Sequence, residues 1–147
     1  MGYIEQNLIA GETVAYRTQL HWIIFLWPAV FLIFAVIGFV GRQGYVAGAL
    51  LVGLVWGLYS YVRFSSSEFG VTNRRVLIKV GFIRRHSLEL LLSKVEGIGV
   101  DQGILGRVLG YGTINVTGTG GTKEPFRNIA APLEFRRMVQ QHAASSQ

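Results

Sequence analysis

The chain of 147 residues contains no cysteine, and only 15% of its residues are charged. The absence of cysteine excludes disulfides, thiolate nucleophiles and cysteine metal ligands. A typical soluble domain carries about 25% charged residues, so an ordinary soluble enzyme is disfavoured from the outset. Hydrophobic residues make up 50% of the chain. The length allows one ordinary domain, or a small domain with a membrane anchor.

The few charges are unevenly placed along the chain. Between Thr18 and Val62 the only charged residue is Arg42. Two uncharged or nearly uncharged runs, Trp22–Val40 and Tyr45–Phe64, lie in this stretch, and only residues 41–44 separate them. Each run is long enough to cross a hydrocarbon core of about 30 Å as a helix. We therefore predict a two-helix transmembrane hairpin over residues 21–64, with both termini on the same side of the membrane.

Basic residues near the ends of these runs predict the orientation, because cytoplasmic loops are enriched in Lys and Arg. The tight loop offers only Arg42, whereas the other side offers Arg17, Arg63, Arg74 and Arg75. The excess predicts a multi-pass protein of the bacterial cytoplasmic membrane, with cytoplasmic N and C termini. A signal peptide is disfavoured, since the apolar run is too long and no cationic segment precedes it.

The second run carries small residues at helical spacing. Ala49, Gly53 and Gly57 fall on one face, and Gly44 and Gly48 form a further GxxxG pair. Small residues let helices approach closely in lipid, so this stripe predicts helix packing. Packing on the first helix of the same chain and packing between subunits are both open. Because no charged residue lies at mid-membrane, a transport path is disfavoured.

The remaining residues divide into an N-terminal segment, 1–20, and a domain, 65–147. Short β-rich runs separated by turn signals predict strands over 68–128, interrupted by one or two helical turns bracketed by Gly103 and Gly110. Val14–Thr18 is either a strand or simply the approach to the membrane. Pro132 suits the first position of a C-terminal amphipathic helix. Strands closed by one such helix indicate an α+β domain.

The motifs in this domain resemble those of a known family. They are the turn Thr72-Asn73-Arg74-Arg75 followed by an apolar strand and Gly81, the glycine-rich run Gly103–Gly112, and the helix entry Asn128–Pro132. In this order they resemble the bacterial pleckstrin-homology-like domains, once grouped as a domain of unknown function and often preceded by two membrane helices. The resemblance covers about residues 20–142. It implies a partly open β-barrel of about seven strands with the C-terminal helix at one end, and a binding or assembly module.

No catalytic constellation is evident in the sequence. His21, His86 and His142 lie in three different segments, and Asp101 is the only aspartate. The run Thr117–Lys123 lacks the Gly-Lys-Ser/Thr of a phosphate-binding loop and is better explained as a hairpin turn. We therefore predict no enzyme activity, no cofactor and no metal site.

Basic residues close to the second apolar run are the most informative polar feature. The predicted contacts to anionic headgroups are Arg63, Arg74, Arg75, Lys79, Arg84 and Arg85. Each such charge contributes about 1 kcal/mol near an anionic surface. The alternative is a solvated face. Nucleic acid is disfavoured as a partner, because we expect the domain's aromatic residues to lie in the core rather than on a stacking platform; these are Phe69, Phe82, Tyr111, Phe126 and Phe135.

Together these features predict a membrane-anchored binding module on the inner leaflet. We expect it to self-associate, through Ala49, Gly53 and Gly57 and through contacts between domains, and to contact anionic lipid or a protein partner. The alternative is an accessory subunit of a membrane enzyme or transporter.

Overall fold

The computed structural model describes residues 2–82, 86–121 and 123–145. The chain forms two compact units. The helical unit is Trp22–Ser65, and the strand-rich unit joins the N-terminal residues as far as His21 to the chain from Ser66 onward. The predicted α+β class is confirmed.

The elements follow one another in an order close to that predicted. They are α1 (Tyr3–Gln6), β1 (Val14–Thr18), α2 (Leu26–Val40), α3 (Val46–Ser65), β2 (Glu68–Thr72), β3 (Arg75–Val80), β4 (His86–Leu91), β5 (Val95–Asp101), α4 (Ile104–Leu109), β6 (Tyr111–Gly118), β7 (Lys123–Ala130) and α5 (Pro132–Ser145). Short 3-10 turns, Trp22–Phe25 and Leu92–Lys94, precede α2 and β5.

The two helices of the helical unit run antiparallel and pack on each other. The rings of Phe25 and Phe64 lie 5.6 Å apart, and those of Phe31 and Trp56 lie 5.8 Å apart. Pro28 is the third residue of α2. Amide groups of a first helical turn have no intrahelical acceptor, so the proline removes no helix hydrogen bond at this position.

The strand-rich unit contains two antiparallel sheets. In the described part of the chain one sheet has the order β1-β2-β3-β4 and the other β5-β6-β7. The seven strands match the number that the resemblance implies, and among the described residues they form two sheets and no closed barrel; the partly open barrel stays a prediction. The sheets are linked where the chain passes from β1 toward the helical unit, because Leu20 bridges Ile129 and the His21 amide donates to the Asn128 carbonyl oxygen at 2.7 Å.

The core lies between the two sheets and α5. Phe69 and Phe126 meet edge to face with ring centroids 6.0 Å apart, and Phe135 and Val139 of α5 are buried beside them. Phe82, expected in the core, is instead 64% exposed. Gly81 has φ of +83°, so the backbone turns away as β3 ends and takes Phe82 off the sheet. Tyr111 is only half-buried.

The N-terminal residues cover the other face of the four-stranded sheet. Val14–Thr18 is a strand, β1, which pairs with β2. Ile4 of α1 is 1% exposed, and a Cβ at Gly70 would lie 2.6 Å from its side chain. Residues 2–18 are therefore part of the folded strand-rich unit, whereas the composition alone indicated only an amphipathic lead.

Candidate membrane-facing and binding surfaces

The outer surface of the helical unit is almost entirely apolar. The spans Trp22–Val40 and Val46–Ser65 are long and apolar enough to cross a membrane, and only 17% and 11% of their most apolar windows are buried. A core helix of a soluble protein would be mostly buried, because burial is what stabilises an apolar helix in water. A shallow groove on α3, lined only by apolar and aromatic side chains that include Leu51, Val55 and Trp56, adds to this surface. By length and composition these helices weakly suggest membrane association.

The small-residue stripe on α3 faces α2 of the same chain. A Cβ at Gly53 would lie 2.8 Å from Cδ2 of Leu32, and one at Gly57 would lie 3.8 Å from Cβ of Pro28. Ala49 is half-buried on the same helix. At Gly44 and Gly48, by contrast, an added Cβ would meet nothing within 4 Å. Gly53 therefore lets α2 approach closely, whereas Gly48 on α3 is open. Gly44 lies in the turn before α3, so it does not form a helical GxxxG pair with Gly48.

Two of the predicted headgroup contacts, Lys79 and Arg74, lie at opposite ends of the four-stranded sheet. Arg63 lies in the last turn of α3. Lys79 pairs with Glu68, so it lies at the end of the sheet where the chain returns from the helical unit. Arg74 is exposed in the β2–β3 turn at the opposite end of β2. At about 3.3 Å per residue, the four steps along β2 from Glu68 to Thr72 span about 13 Å. Arg84 and Arg85 lie outside the described residues, in the sequence between β3 and β4.

Arg75 is engaged inside the strand-rich unit rather than presented to a ligand. Its side chain is 12% exposed, and the Glu12 side chain it contacts is fully buried. Arg75 Nε donates to Oε1 of Glu12 at 2.9 Å, Nη2 donates to Oε2 of Glu12 at 3.0 Å, and Nη1 donates to Oε2 of Glu89 at 2.8 Å. Nη2 also donates to the Asn7 carbonyl oxygen. These bonds tie the N-terminal segment to the sheet, so the structure gives Arg75 a role different from the predicted headgroup contact.

The Glu12 carboxylate is fully satisfied by donors. Besides Arg75 it accepts from the Thr72 hydroxyl at 2.7 Å and from the Ile9 amide at 2.9 Å. The Arg75 hydrogen bond is the main cause that lowers the pKa of Glu12 from 4.5 to about 2. The same bond raises the pKa of Arg75. Hydrogen bonds to an ionised group favour its charged form, so the pair stays ionised at neutral pH.

The three histidines have separate environments. His21 stacks on Tyr111 with ring centroids 5.3 Å apart, and burial lowers its pKa. Nε2 of His86 lies 2.8 Å from Oε2 of Glu124, and Nδ1 of His142 lies 2.9 Å from the Met138 carbonyl oxygen. In the part of the chain that the structure describes, no group of three His, Asp or Glu side chains could hold a metal ion.

An exposed apolar patch on α4 was missed by sequence reasoning. Ile104, Leu105 and Val108 are 85%, 66% and 77% exposed. Their helical spacing was the available signal, but such a stripe usually marks a buried face. Here Gly106 is the buried residue, and a Cβ at this position would lie 2.5 Å from the Tyr111 carbonyl oxygen. The helix is docked through its glycine, and this directs its large side chains outward.

Comparisons with known proteins identify the family. The sequence profile of the family described as bacterial PH domain matches residues 18–143, a range that includes both apolar helices and all of β2–β7. No curated protein and no solved structure matches the chain. PH-like domains are generally non-catalytic binding modules. The family resemblance predicted from the turn, glycine and helix-entry motifs is confirmed, and the chain belongs to the bacterial PH domain family.

Proposed function

We propose that this protein is a membrane-anchored binding and assembly module of the bacterial cytoplasmic membrane, without catalytic activity or a cofactor. The helical unit spans the bilayer as a hairpin, and the strand-rich unit lies on the inner leaflet. The observation that carries the proposal is the continuous apolar surface of α2 and α3. Side chains all along it are exposed, including Val36 at 62%, Phe39 at 75% and Leu54 at 62%. Such a surface is far larger than the apolar patches that soluble monomers expose.

Short connections support a location at the bilayer surface. Only Ser66 and Ser67 separate α3 from β2, and only Gln19, Leu20 and His21 separate β1 from the 3-10 turn that begins the helical unit. Two residues span at most about 7 Å, so the strand-rich unit has no linker on which to move away from the membrane. Ser67 is itself buried, and its hydroxyl oxygen accepts a hydrogen bond from the Gly81 amide at 3.3 Å.

The orientation is tested with single cysteines, because the natural sequence has none. Gln43→Cys places a thiol in the tight loop, and Gln140→Cys places one on the exposed side of α5. With cytoplasmic termini, a membrane-impermeant maleimide added to intact spheroplasts labels Gln43→Cys, and labels Gln140→Cys only after permeabilisation. The reverse pattern overturns the orientation. Labelling of both thiols in intact spheroplasts overturns the cytoplasmic placement of the strand-rich unit.

Anionic headgroups are the proposed ligands of the basic residues near the point where the chain returns from α3. Of the predicted set, Arg63 ends α3, and Lys79 lies at the end of the sheet where β2 begins. Arg84 and Arg85 follow β3 in the sequence, and Phe82, which precedes them in the sequence, is an exposed aromatic residue. A phenylalanine combined with Lys and Arg residues suits a membrane–water interface, where the ring enters the acyl boundary and the cations stay at headgroup level. Arg74, at the far end of β2, and Arg75, paired with Glu12, are left out of the proposed contact.

The proposed contact includes Arg84 and Arg85 but not Arg74, and this gives a test in nanodiscs with Arg74 as the control. Addition of anionic lipid to neutral nanodiscs should slow amide exchange in residues 79–91 of the full chain. Arg84→Glu combined with Arg85→Glu should abolish that protection, whereas Arg74→Glu should leave it unchanged. Equal loss in both variants would indicate a general charge effect, and no protection in the parent protein would leave these residues as a solvated face.

Self-association is the proposed mode of assembly. Since α2 already occupies Gly53 of the small-residue stripe, contacts between copies would use the open side of α3 at Gly48, the turn at Gly44 that precedes it, and the strand-rich units. The alternative is an accessory subunit whose partner supplies an activity. Mass measurement of the protein extracted with its surrounding membrane distinguishes them, since multiples of its own mass support self-association and a stoichiometric foreign subunit supports the alternative.

A further inference from the structure

We propose that α4 is a second membrane contact, an interfacial helix whose Ile104, Leu105 and Val108 side chains insert into the acyl–headgroup boundary of the bilayer. This inference rests on the proposed membrane location, and it assigns a lipid-facing surface within the strand-rich unit. The ligand is the bilayer itself rather than a particular headgroup.

The first argument is the inverted packing of α4. A short helix on a soluble domain normally buries its large apolar residues and exposes its small ones. In α4 the buried residue is Gly106, and the Gln102 amide holds the helix by donating to the carbonyl oxygens of Gly106 at 3.3 Å and Tyr111 at 3.0 Å. Because docking uses a glycine and polar bonds, three apolar side chains of the helix, Ile104, Leu105 and Val108, stay exposed on the strand-rich unit.

The second argument is the position of α4 in the chain. His21 is the last residue before the apolar run that begins at Trp22. Its imidazole is hydrogen-bonded to the backbone of Leu109, the last residue of α4, and stacks on Tyr111. Helix α4 is therefore hydrogen-bonded to His21, the residue that precedes the proposed membrane hairpin.

The start of α5 extends the same surface. The Ala131 amide donates to the Gly110 carbonyl oxygen at 2.9 Å, which fixes the start of α5 next to the end of α4. Leu133 in the first turn of α5 is 58% exposed. The only charged residue within α4 is Arg107, which is exposed and basic. Arginine side chains on interfacial helices keep their charge at headgroup level while their stems cover apolar surface, so Arg107 is compatible with insertion.

Nitroxide labels test the proposal in the intact protein in nanodiscs. Val108→Cys reports on α4, and Leu51→Cys, 64% exposed on α3, reports on the hairpin. Leu91→Cys is the matched control, because Leu91 is also an exposed apolar residue. It pairs with Arg75 at the end of the sheet opposite to the end where β2 begins after α3. Collision rates with oxygen, which concentrates in lipid, and with a water-soluble nickel chelate are measured at each site.

The expected result is lipid-like behaviour at Val108 and Leu51, with oxygen collisions raised and chelate collisions lowered several-fold relative to Leu91. If Leu51 is lipid-exposed but Val108 matches Leu91, the α4 inference is wrong while the membrane hairpin stands. If Leu51 itself matches Leu91, the proposed membrane location fails. Low rates with both reagents at Val108, together with spin–spin broadening that disappears on dilution with unlabelled protein, would assign α4 to a contact between copies and overturn the lipid assignment.

Discussion

The buried pair Glu12–Arg75 should make the strand-rich unit sensitive to acid. The pKa of Glu12 is lowered from 4.5 to about 2. A depressed acid pKa stabilises the fold above the unfolded value, and the stabilisation is lost as the pH falls through the folded value. Glu12 therefore contributes its full stabilisation above about pH 5, and most of it is lost between pH 5 and 2.

The expected magnitude follows from the size of this shift. At about 1.36 kcal/mol per pKa unit, a change from 4.5 to about 2 corresponds to about 3 kcal/mol. Removal of one partner of a buried pair costs about 3–5 kcal/mol, because the other charge is left uncompensated. In Glu12→Gln, Arg75 retains Glu89 as a partner 2.8 Å away, so the low end of that range applies. Both routes give about 3 kcal/mol for Glu12→Gln at pH 7.

The assay is urea unfolding of the full chain in nanodiscs, read from a dye on Gln140→Cys. All three tryptophans lie in the helical unit, so intrinsic fluorescence would not report on the strand-rich unit. Glu12→Gln should lower the unfolding free energy at pH 7. It should also remove most of the decrease in unfolding free energy that the parent protein shows as the pH is lowered from 5 to 3. The matched control is Glu5→Gln, whose partner Arg17 is 3.5 Å away with both side chains about half exposed. Such surface pairs contribute at most about 1 kcal/mol.

Two outcomes would refute this reasoning. If Glu12→Gln retains the parent's dependence on pH between 5 and 3, the stabilisation does not come from the ionised Glu12. If Glu5→Gln loses as much stability as Glu12→Gln, burial of the carboxylate is not what makes the pair important.

Three further predictions concern glycines and a backbone strain site. Gly106→Ala should destabilise the strand-rich unit by about 1–3 kcal/mol in the same urea assay, because a Cβ at this position would lie 2.5 Å from the Tyr111 carbonyl oxygen. The control is Gly97→Ala, where an added Cβ would meet nothing within 4 Å; its unfolding free energy should stay within about 0.5 kcal/mol of the parent's. Gly53→Ala should destabilise the hairpin, because the added Cβ would lie 2.8 Å from the Leu32 side chain, whereas Gly48→Ala should not. Unfolding in SDS, followed by tryptophan fluorescence, measures the stability of both variants. Equal losses of stability would contradict the packing of the stripe on α2. Ala131→Asn should stabilise the unit by about 0.5–1 kcal/mol, since Ala131 has φ of +48° and asparagine tolerates left-handed backbone better; a loss of stability would show that Ala131 is not strained.

The sequence by itself determined the parts of the fold that depend on local pattern. Two long apolar runs separated by four residues predict two adjacent helices, since run length and hydropathy need no knowledge of distant contacts. The alternation and turn residues of 68–128 predict most strand positions, and Pro132 predicts the start of α5, because these signals also act over a few residues. The ordered motifs from Thr72 to Pro132 were enough to predict the family.

Only the tertiary structure decided which charges and apolar residues are available. Arg74 and Arg75 are neighbours in sequence, but β3 directs Arg75 at the buried Glu12, more than sixty residues away in the chain, while Arg74 is left in an exposed turn. The apolar spacing of α4 is typical of a buried face, yet close approach of Gly106 to Tyr111 directs the large side chains outward. The burial of Arg75 is set by a contact between distant parts of the chain, and the exposure of α4 is set by the distance between Gly106 and the Tyr111 backbone. Neither kind of contact leaves a periodic signal in the sequence.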